Sequence, residues 1–297
     1  MVEQVETVIG GRRAPRGHVA SSSLFSYLCS RMTEVRAKKA LGQHFLTDLN
    51  IARKICMSLS GGDVDNPVPV LEVGCGMGVL TQFLLGRRDI TTWGVEIDRE
   101  SIAYLHNHYP DFAPRLIEGD FLKMDLKEVF PDGLRLIGNF PYNISSQIFF
   151  KLLENRDMIP ECVGMVQREV AVRIAEKPGS KEYGILSVLL QAWYDIEYLF
   201  TVNESVFNPP PKVKSAVIRL RRNSVRELQC DERLFVQVVK AAFGQRRKML
   251  RNALRSAFGA FGGAEHRFFS ERAERLSVTD FVELTRWVAE HRTANHR

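Results

Sequence analysis

The chain has 297 residues, enough for roughly two domains, and 45% of them are hydrophobic, so a sizeable core is available and wholesale disorder is excluded. Forty-one Lys+Arg against 35 Asp+Glu leave a formal charge of +6, which leans towards an anionic partner. The five cysteines are odd in number, far apart and without a C-x-x-C pair, arguing against a disulfide framework or zinc site and for a reducing cytoplasm; no apolar run approaches the roughly 18 residues of a membrane span.

Residues 1–35 are rich in Gly, Ser and Arg, lack an apolar period and are expected to form a disordered extension. Their basic character suits an organelle-targeting segment, but Glu3 and Glu6 break that pattern, and Met32 is the preferred start because well-patterned sequence follows it directly. In Leu41-Gly42-Gln43-His44-Phe45-Leu46, polar Gln43 and His44 sit between apolar anchors, as in a strap over a core. Thr47 or Asp48 then caps an amphipathic helix with Ile51, Ile55 and Leu59 inward.

Val68 to Val73 is a short apolar run, as expected for a strand buried on both faces, and it leads into Gly74-Cys75-Gly76-Met77-Gly78 and a helix from Val79 to Leu85. Glycines at such a junction let backbone pass close to a ligand over a helix N-terminus. The spacing is G-x-G-x-G, not the dinucleotide G-x-G-x-x-G. A second strand, Thr91 to Ile97, carries Glu96 about 20 residues on, where an acid can hydrogen-bond both hydroxyls of a ribose.

The alternation continues through a helix from Arg99 to His108 and a strand from Arg115 to Glu118. Asp120 follows, where it can either accept from an adenine amino group or cap the turn before Leu122. A fourth strand, Leu134 to Ile137, ends in Gly138-Asn139-Phe140-Pro141-Tyr142-Asn143. Asn139 offers an amide oxygen, Pro141 keeps the preceding residue extended, and Tyr142 supplies a flat ring. An amide acceptor beside an aromatic face suits a flipped-out amino-bearing base, although strand-to-helix turns also use Asn and Pro for conformation alone. A fifth strand, Cys162 to Val166, precedes a helix from Gln167 to Glu176. Ligand-type loops that always follow strands describe an open, largely parallel α/β sheet whose cleft gathers Gly74, Glu96, Asp120 and Asn139.

Lys177 to Lys181 breaks the next helix, Ile185 to Trp193 resumes a helical period, and Asp195 to Val202 and Val213 to Arg221 look like strands joined through Pro209-Pro210-Pro211. The composition turns polar around Asn223 to Asp231, giving expected domains of 36–224 and 225–297. The second is helical and basic. Arg247, Arg251 and Arg255 are spaced by four and are expected on one helix face, with Arg246 and Lys248 beside them. No acid lies between Glu232 and Glu265, a concentration of charge suited to RNA phosphates or to solvent.

Taken together, Gly42-Gln43-His44-Phe45-Leu46, Glu72 to Gly78, Glu96-Ile97-Asp98, Gly119-Asp120-Phe121, Asn139 to Tyr142, Asn208 to Ser215 and Gln245-Arg246-Arg247-Lys248 resemble, in order, the ribosomal small-subunit RNA adenine dimethyltransferases of the KsgA type. The resemblance covers Lys38 to about Leu284. It implies a Rossmann-like class I S-adenosylmethionine-dependent methyltransferase sheet with a small C-terminal helical domain. It also implies that His44, Leu46, Gly74, Gly76, Gly78, Glu96, Asp120 and Asn139 hold the cofactor, and that Asn139, Phe140, Pro141 and Tyr142 hold the target base. Arg246, Arg247, Lys248, Arg251 and Arg255 would meet RNA. The implied reaction dimethylates two adjacent adenines near the 3′ end of small-subunit rRNA, free or in a pre-ribosomal particle, without a metal and by a monomer. Position 44 is often Asn in such motifs, and Phe140 stands where Leu or Pro is common, a change expected to alter the pocket wall. The rival readings are a large-subunit rRNA adenine methyltransferase and a non-catalytic RNA-binding assembly or transcription factor. The intact glycine loop, Glu96, Asp120 and Asn139 favour an enzyme.

Overall fold

The computed structural model describes residues 35–292; the expected extension, its targeting pattern and the Met32 start lie outside the described residues. Buried strands without polar alternation need helices on both faces, and the chain supplies them in turn. After a two-residue strand β1 (Phe45–Leu46) and helix α1 (Leu49–Met57) come β2 (Val68–Val73), α2 (Thr81–Leu85), β3 (Ile90–Glu96), α3 (Arg99–His108) and β4 (Leu116–Glu118). Then follow α4 (Leu126–Val129), β5 (Arg135–Asn139), α5 (Ser145–Glu154), β6 (Glu161–Gln167), α6 (Arg168–Ala175) and α7 (Ile185–Gln191). Asp48 caps α1, accepting from the backbone N–H groups of Asn50 and Ile51.

The main sheet has seven strands in the order β4-β3-β2-β5-β6-β9-β7, where β7 is Tyr194–Val202 and β9 is Ser215–Arg222. The first five run parallel, while β9 is antiparallel to both β6 and β7. The strand order reverses between β2 and β5, and in open sheets a cleft opens at that point beyond the carboxyl ends. β8 (Phe207–Asn208) leaves the sheet and pairs antiparallel with β1, Leu46 against Phe207 and Phe45 against Asn208. The strap is thus fastened from the far end of the chain, and the segment between β7 and β9 serves as more than a proline-rich link.

The C-terminal helices are α8 (Glu232–Gly244), α9 (Leu250–Phe258) and α10 (Val278–His291). The expected boundary at Asn223 to Asp231 falls in an irregular segment. Even so, one buried core runs from Ile148 and Phe149 of α5 through Leu189 of α7 to Phe235 of α8 and Phe281 of α10. The basic run is not one helix. Gln245 to Met249 form a turn, so Arg247 does not share a helix face with Arg251 and Arg255. The cause is apolar: Leu250, Ala253 and Leu254 must face inward, and the chain turns after Gly244 to bring them there.

Candidate active site at the carboxyl edge of the sheet

β2 ends in a loop that only glycine makes easily, since Gly74, Gly76 and Gly78 take φ of 75°, 54° and 77°. The loop is held by Glu96 at the end of the neighbouring strand: its Oε2 accepts from the Gly76 N–H at 2.8 Å, and its Oε1 accepts from the N–H groups of Ile97 and Asp98, each at 2.9 Å. Burial pushes the Glu96 carboxyl up, and those three donors pull it back towards ionisation. Glu72, one strand across, is buried more completely. Burial pushes its pKa up to about 8, against a 2.6 Å hydrogen bond donated by Thr81 Oγ1. At neutral pH the site therefore holds a neutral Glu72 beneath a hydrogen-bonded Glu96. Sequence reading assigned Glu72 no role, and an acid inside an otherwise apolar buried strand was the available signal.

Asp120 accepts from the backbone N–H of Leu122 at 3.0 Å through Oδ1. The capping reading is therefore correct; Oδ2 lies 3.8 Å from Lys123 Nζ, and Asp120 borders the same cavity. Across the switch point, the Asn139 Nδ2 donates to the backbone oxygen of His44 at 3.0 Å, and no donor among the described residues occupies its Oδ1. His44 Nδ1 lies 2.8 Å from the Pro209 oxygen, and its ring stacks on Tyr142 with centroids 5.3 Å apart. The Tyr142 hydroxyl shares a short hydrogen bond with the Ser215 hydroxyl at the start of β9.

One expectation fails here. The Phe140 side chain does not line the pocket; it is 1% exposed, packs edge-on against Phe149, and lies where a Cβ on Gly138 or Gly164 would strike its ring. Only the backbone of Phe140 faces the cleft, its N–H tied to the Met165 oxygen at 3.0 Å. With no Cβ at 138 and 164, the ring has room within the sheet.

A single cavity is lined by His44, Leu46, Gly74, Gly76, Glu96, Asp120, Asn139, Phe140, Pro141 and Tyr142, so every expected cofactor and base residue except Gly78 borders it. Gly78 instead supports the loop: a Cβ there would meet the Tyr109 ring at 2.6 Å. The cavity holds about 1160 Å³ of free space, its open mouth included. No cluster of metal-ligating side chains occurs among the described residues.

The basic residues lie apart from this cavity. Arg247 and Lys248 are exposed, whereas Arg246 donates to the Lys181 backbone oxygen and pairs with Glu274 at 3.6 Å. Glu265, distant in sequence from the arginines of α9, pairs with Arg251 at 2.5 Å and Arg255 at 3.9 Å. The run without acids is therefore balanced in space by acids that come after it.

This arrangement of glycine loop, strand-end acids and amide loop matches a known family along most of the chain: residues 34–289 fit the model described as ribosomal RNA adenine dimethylase. The chain belongs to that family. It is 59% identical over 257 residues to the ribosomal RNA small subunit methyltransferase A of Porphyromonas gingivalis, spanning 86% of this chain and 98% of that protein. The protein of the same name from Bacteroides thetaiotaomicron is 58% identical over 262 residues, 87% of this chain and 96% of that one. Among solved structures, a dimethyladenosine transferase from Plasmodium falciparum superposes with a TM-score of 0.68 at 24% identity, over 84% of this chain and 98% of the other. The 23S rRNA methyltransferase ErmE follows at 0.57 and 24%, covering 80% and 98%. These two likenesses establish the class I methyltransferase fold. No helix among the described residues is long and apolar enough to cross a membrane.

Proposed function

We propose that this chain uses S-adenosylmethionine to methylate the exocyclic amino group of adenines in small-subunit ribosomal RNA, twice at each target. The observation that carries the reading is the fixed orientation of the Asn139 amide. The cofactor's nucleoside fits between Glu96, which keeps spare acceptor capacity for ribose hydroxyls, and Asp120, which borders the cavity and would accept from an adenine amino group. Ile97, 51% exposed at the rim, offers the purine an apolar face. The bound cofactor supplies an electrophilic methyl group on a sulfonium.

The chain's own task is to present a poor nucleophile. The lone pair of an adenine amino nitrogen is delocalised into the ring, and two acceptors on its hydrogens favour a tetrahedral nitrogen with a localised pair. Asn139 Oδ1 is one acceptor, and the Phe140 carbonyl, which accepts from no donor among the described residues, is the other. Tyr142, anchored by Ser215, provides the stacking face for a base extruded from RNA. Arg247 and Lys248, exposed away from the pocket, bind backbone phosphates.

The test is a map of dimethylated adenines in both ribosomal RNAs, from cells with and without this protein. Loss of dimethyladenine from the small-subunit RNA alone supports the proposal. Loss from the large-subunit RNA, or from neither, overturns it.

A further inference from the structure

Among the ties that hold the strap carrying His44 is a buried carboxylate at the end of the neighbouring strand. Asp98 lies two residues beyond Glu96 and is only 3% exposed, a place where an unpartnered charge is costly. Its partners come from two directions. From the first turn of α3, Ser101 Oγ donates to Oδ2 at 2.9 Å. From the strap, Lys38 Nζ donates to Oδ1 and Gln43 Nε2 reaches Oδ2 at 3.4 Å. The Lys38 N–H in turn donates to Gln43 Oε1 at 2.8 Å, so both ends of the strap's first turn converge on the same acid. The next residue, His44, provides the carbonyl that holds Asn139 Nδ2. On its other side, Asp98 donates its backbone N–H to Glu96 Oε1. One residue thus joins the acid of the cofactor pocket to the strap that orients the catalytic amide.

We propose that Asp98 is a positioning residue, which keeps the strap seated so that the His44 carbonyl stays within reach of Asn139. The inference rests on the reading of Asn139 as the catalytic amide. Asp98 does not border the cavity. Its effect passes through geometry: a shift of about 1 Å at a positioned group can slow a reaction by about 100-fold. A freed Asn139 amide could rotate and present its NH₂ to another NH₂.

Asp98→Asn keeps the volume and the Ser101 contact but loses one of the two charges that Lys38 meets, the other being Glu100 at 3.0 Å. Single-turnover methyl transfer to small-subunit particles should slow by roughly 10–100-fold, with a smaller loss of calorimetric affinity for S-adenosylhomocysteine, since His44 and Leu46 of the strap border the same cavity. Hydrogen exchange should quicken across residues 38–47 and stay unchanged in β2 and β3. The Lys38→Ala, Gln43→Ala double variant leaves the buried acid untouched and should show the same pattern, more weakly. Near-normal turnover in Asp98→Asn despite faster strap exchange overturns the proposal, as does quickened exchange throughout the sheet, which would mark a purely structural group. Exchange is read without RNA or methyl transfer. A wild-type protein that methylates no particle would therefore overturn the reading of the site, whereas unchanged strap exchange in Asp98→Asn overturns the role of Asp98.

Discussion

The Nδ2 of Asn139 donates to the carbonyl oxygen of His44 across 3.0 Å, and this contact decides which end of the amide faces the pocket. A carbonyl cannot donate, so the NH₂ must point at the strap and the oxygen at the cleft. Asn139→Ala removes a preorganised acceptor and leaves the glycine loop and Glu96 in place. Single-turnover methyl transfer should drop on the order of 100–1000-fold, with a far smaller change in cofactor affinity. Near-normal turnover in that variant would remove the reason for assigning it the chemistry.

Glu96 has a double duty, since the oxygens that would meet the ribose also hold three backbone N–H groups. Glu96→Ala should weaken S-adenosylmethionine binding by roughly 10–100-fold in calorimetric titration. It should also loosen the Gly74–Gly78 loop, so Glu96→Gln, which keeps one acceptor, should fall between the two. Equal affinity in wild type and Glu96→Ala would place the ribose elsewhere.

Glu72 gives stability a pH dependence with a definite sign. Its folded pKa of about 8 lies above the ordinary carboxylate value near 4.3, so folding favours the protonated form. That contribution is complete below about pH 4.3 and is lost as pH rises through about 8. Glu72→Gln stays neutral throughout. In urea unfolding it should gain on wild type by a few kcal/mol between about pH 5 and about pH 9, because each pH unit separating the folded and unfolded values is worth about 1.4 kcal/mol. A gap that is constant with pH would mean that Glu72 stays ionised in the folded protein.

Charge reversal should separate the basic residues by their neighbours. Arg247→Glu with Lys248→Glu alters two exposed cations and should weaken RNA binding, with the log–log salt slope flattening by nearly one for each phosphate that is no longer neutralised. Glu265→Gln should act the other way, because it frees Arg251 and Arg255 from their acid. A salt titration in which neither variant moves would show that this face is merely solvated.

The strands and the cleft were legible because a parallel sheet covered on both faces is written as uninterrupted apolar runs, each followed by its loop. Val68 to Val73 and Arg99 to His108 coincide with β2 and α3. What depended on distant pairing was not legible. β1 and β8 are two residues each, too short for any period, and are defined only by each other. The turn at Gln245 to Met249 is hidden by residues that suit a helix, and Glu265 lies fourteen positions from the arginine it meets. Phe140 showed the opposite limit: its size was visible, but the space made by Gly138 and Gly164 belongs to two different strands.

The pairing of Leu46 with Phe207, together with Ser215 behind Tyr142, bears on the order in which the enzyme is made. Glycine loop, both strand-end acids and the Asn139–Tyr142 loop are all translated before residue 150, yet the strap has no partner strand and Tyr142 no anchor until the chain has grown past Ser215. A polypeptide ending before Phe207 therefore holds those residues without the strand that pairs with the strap and without the hydroxyl that anchors Tyr142.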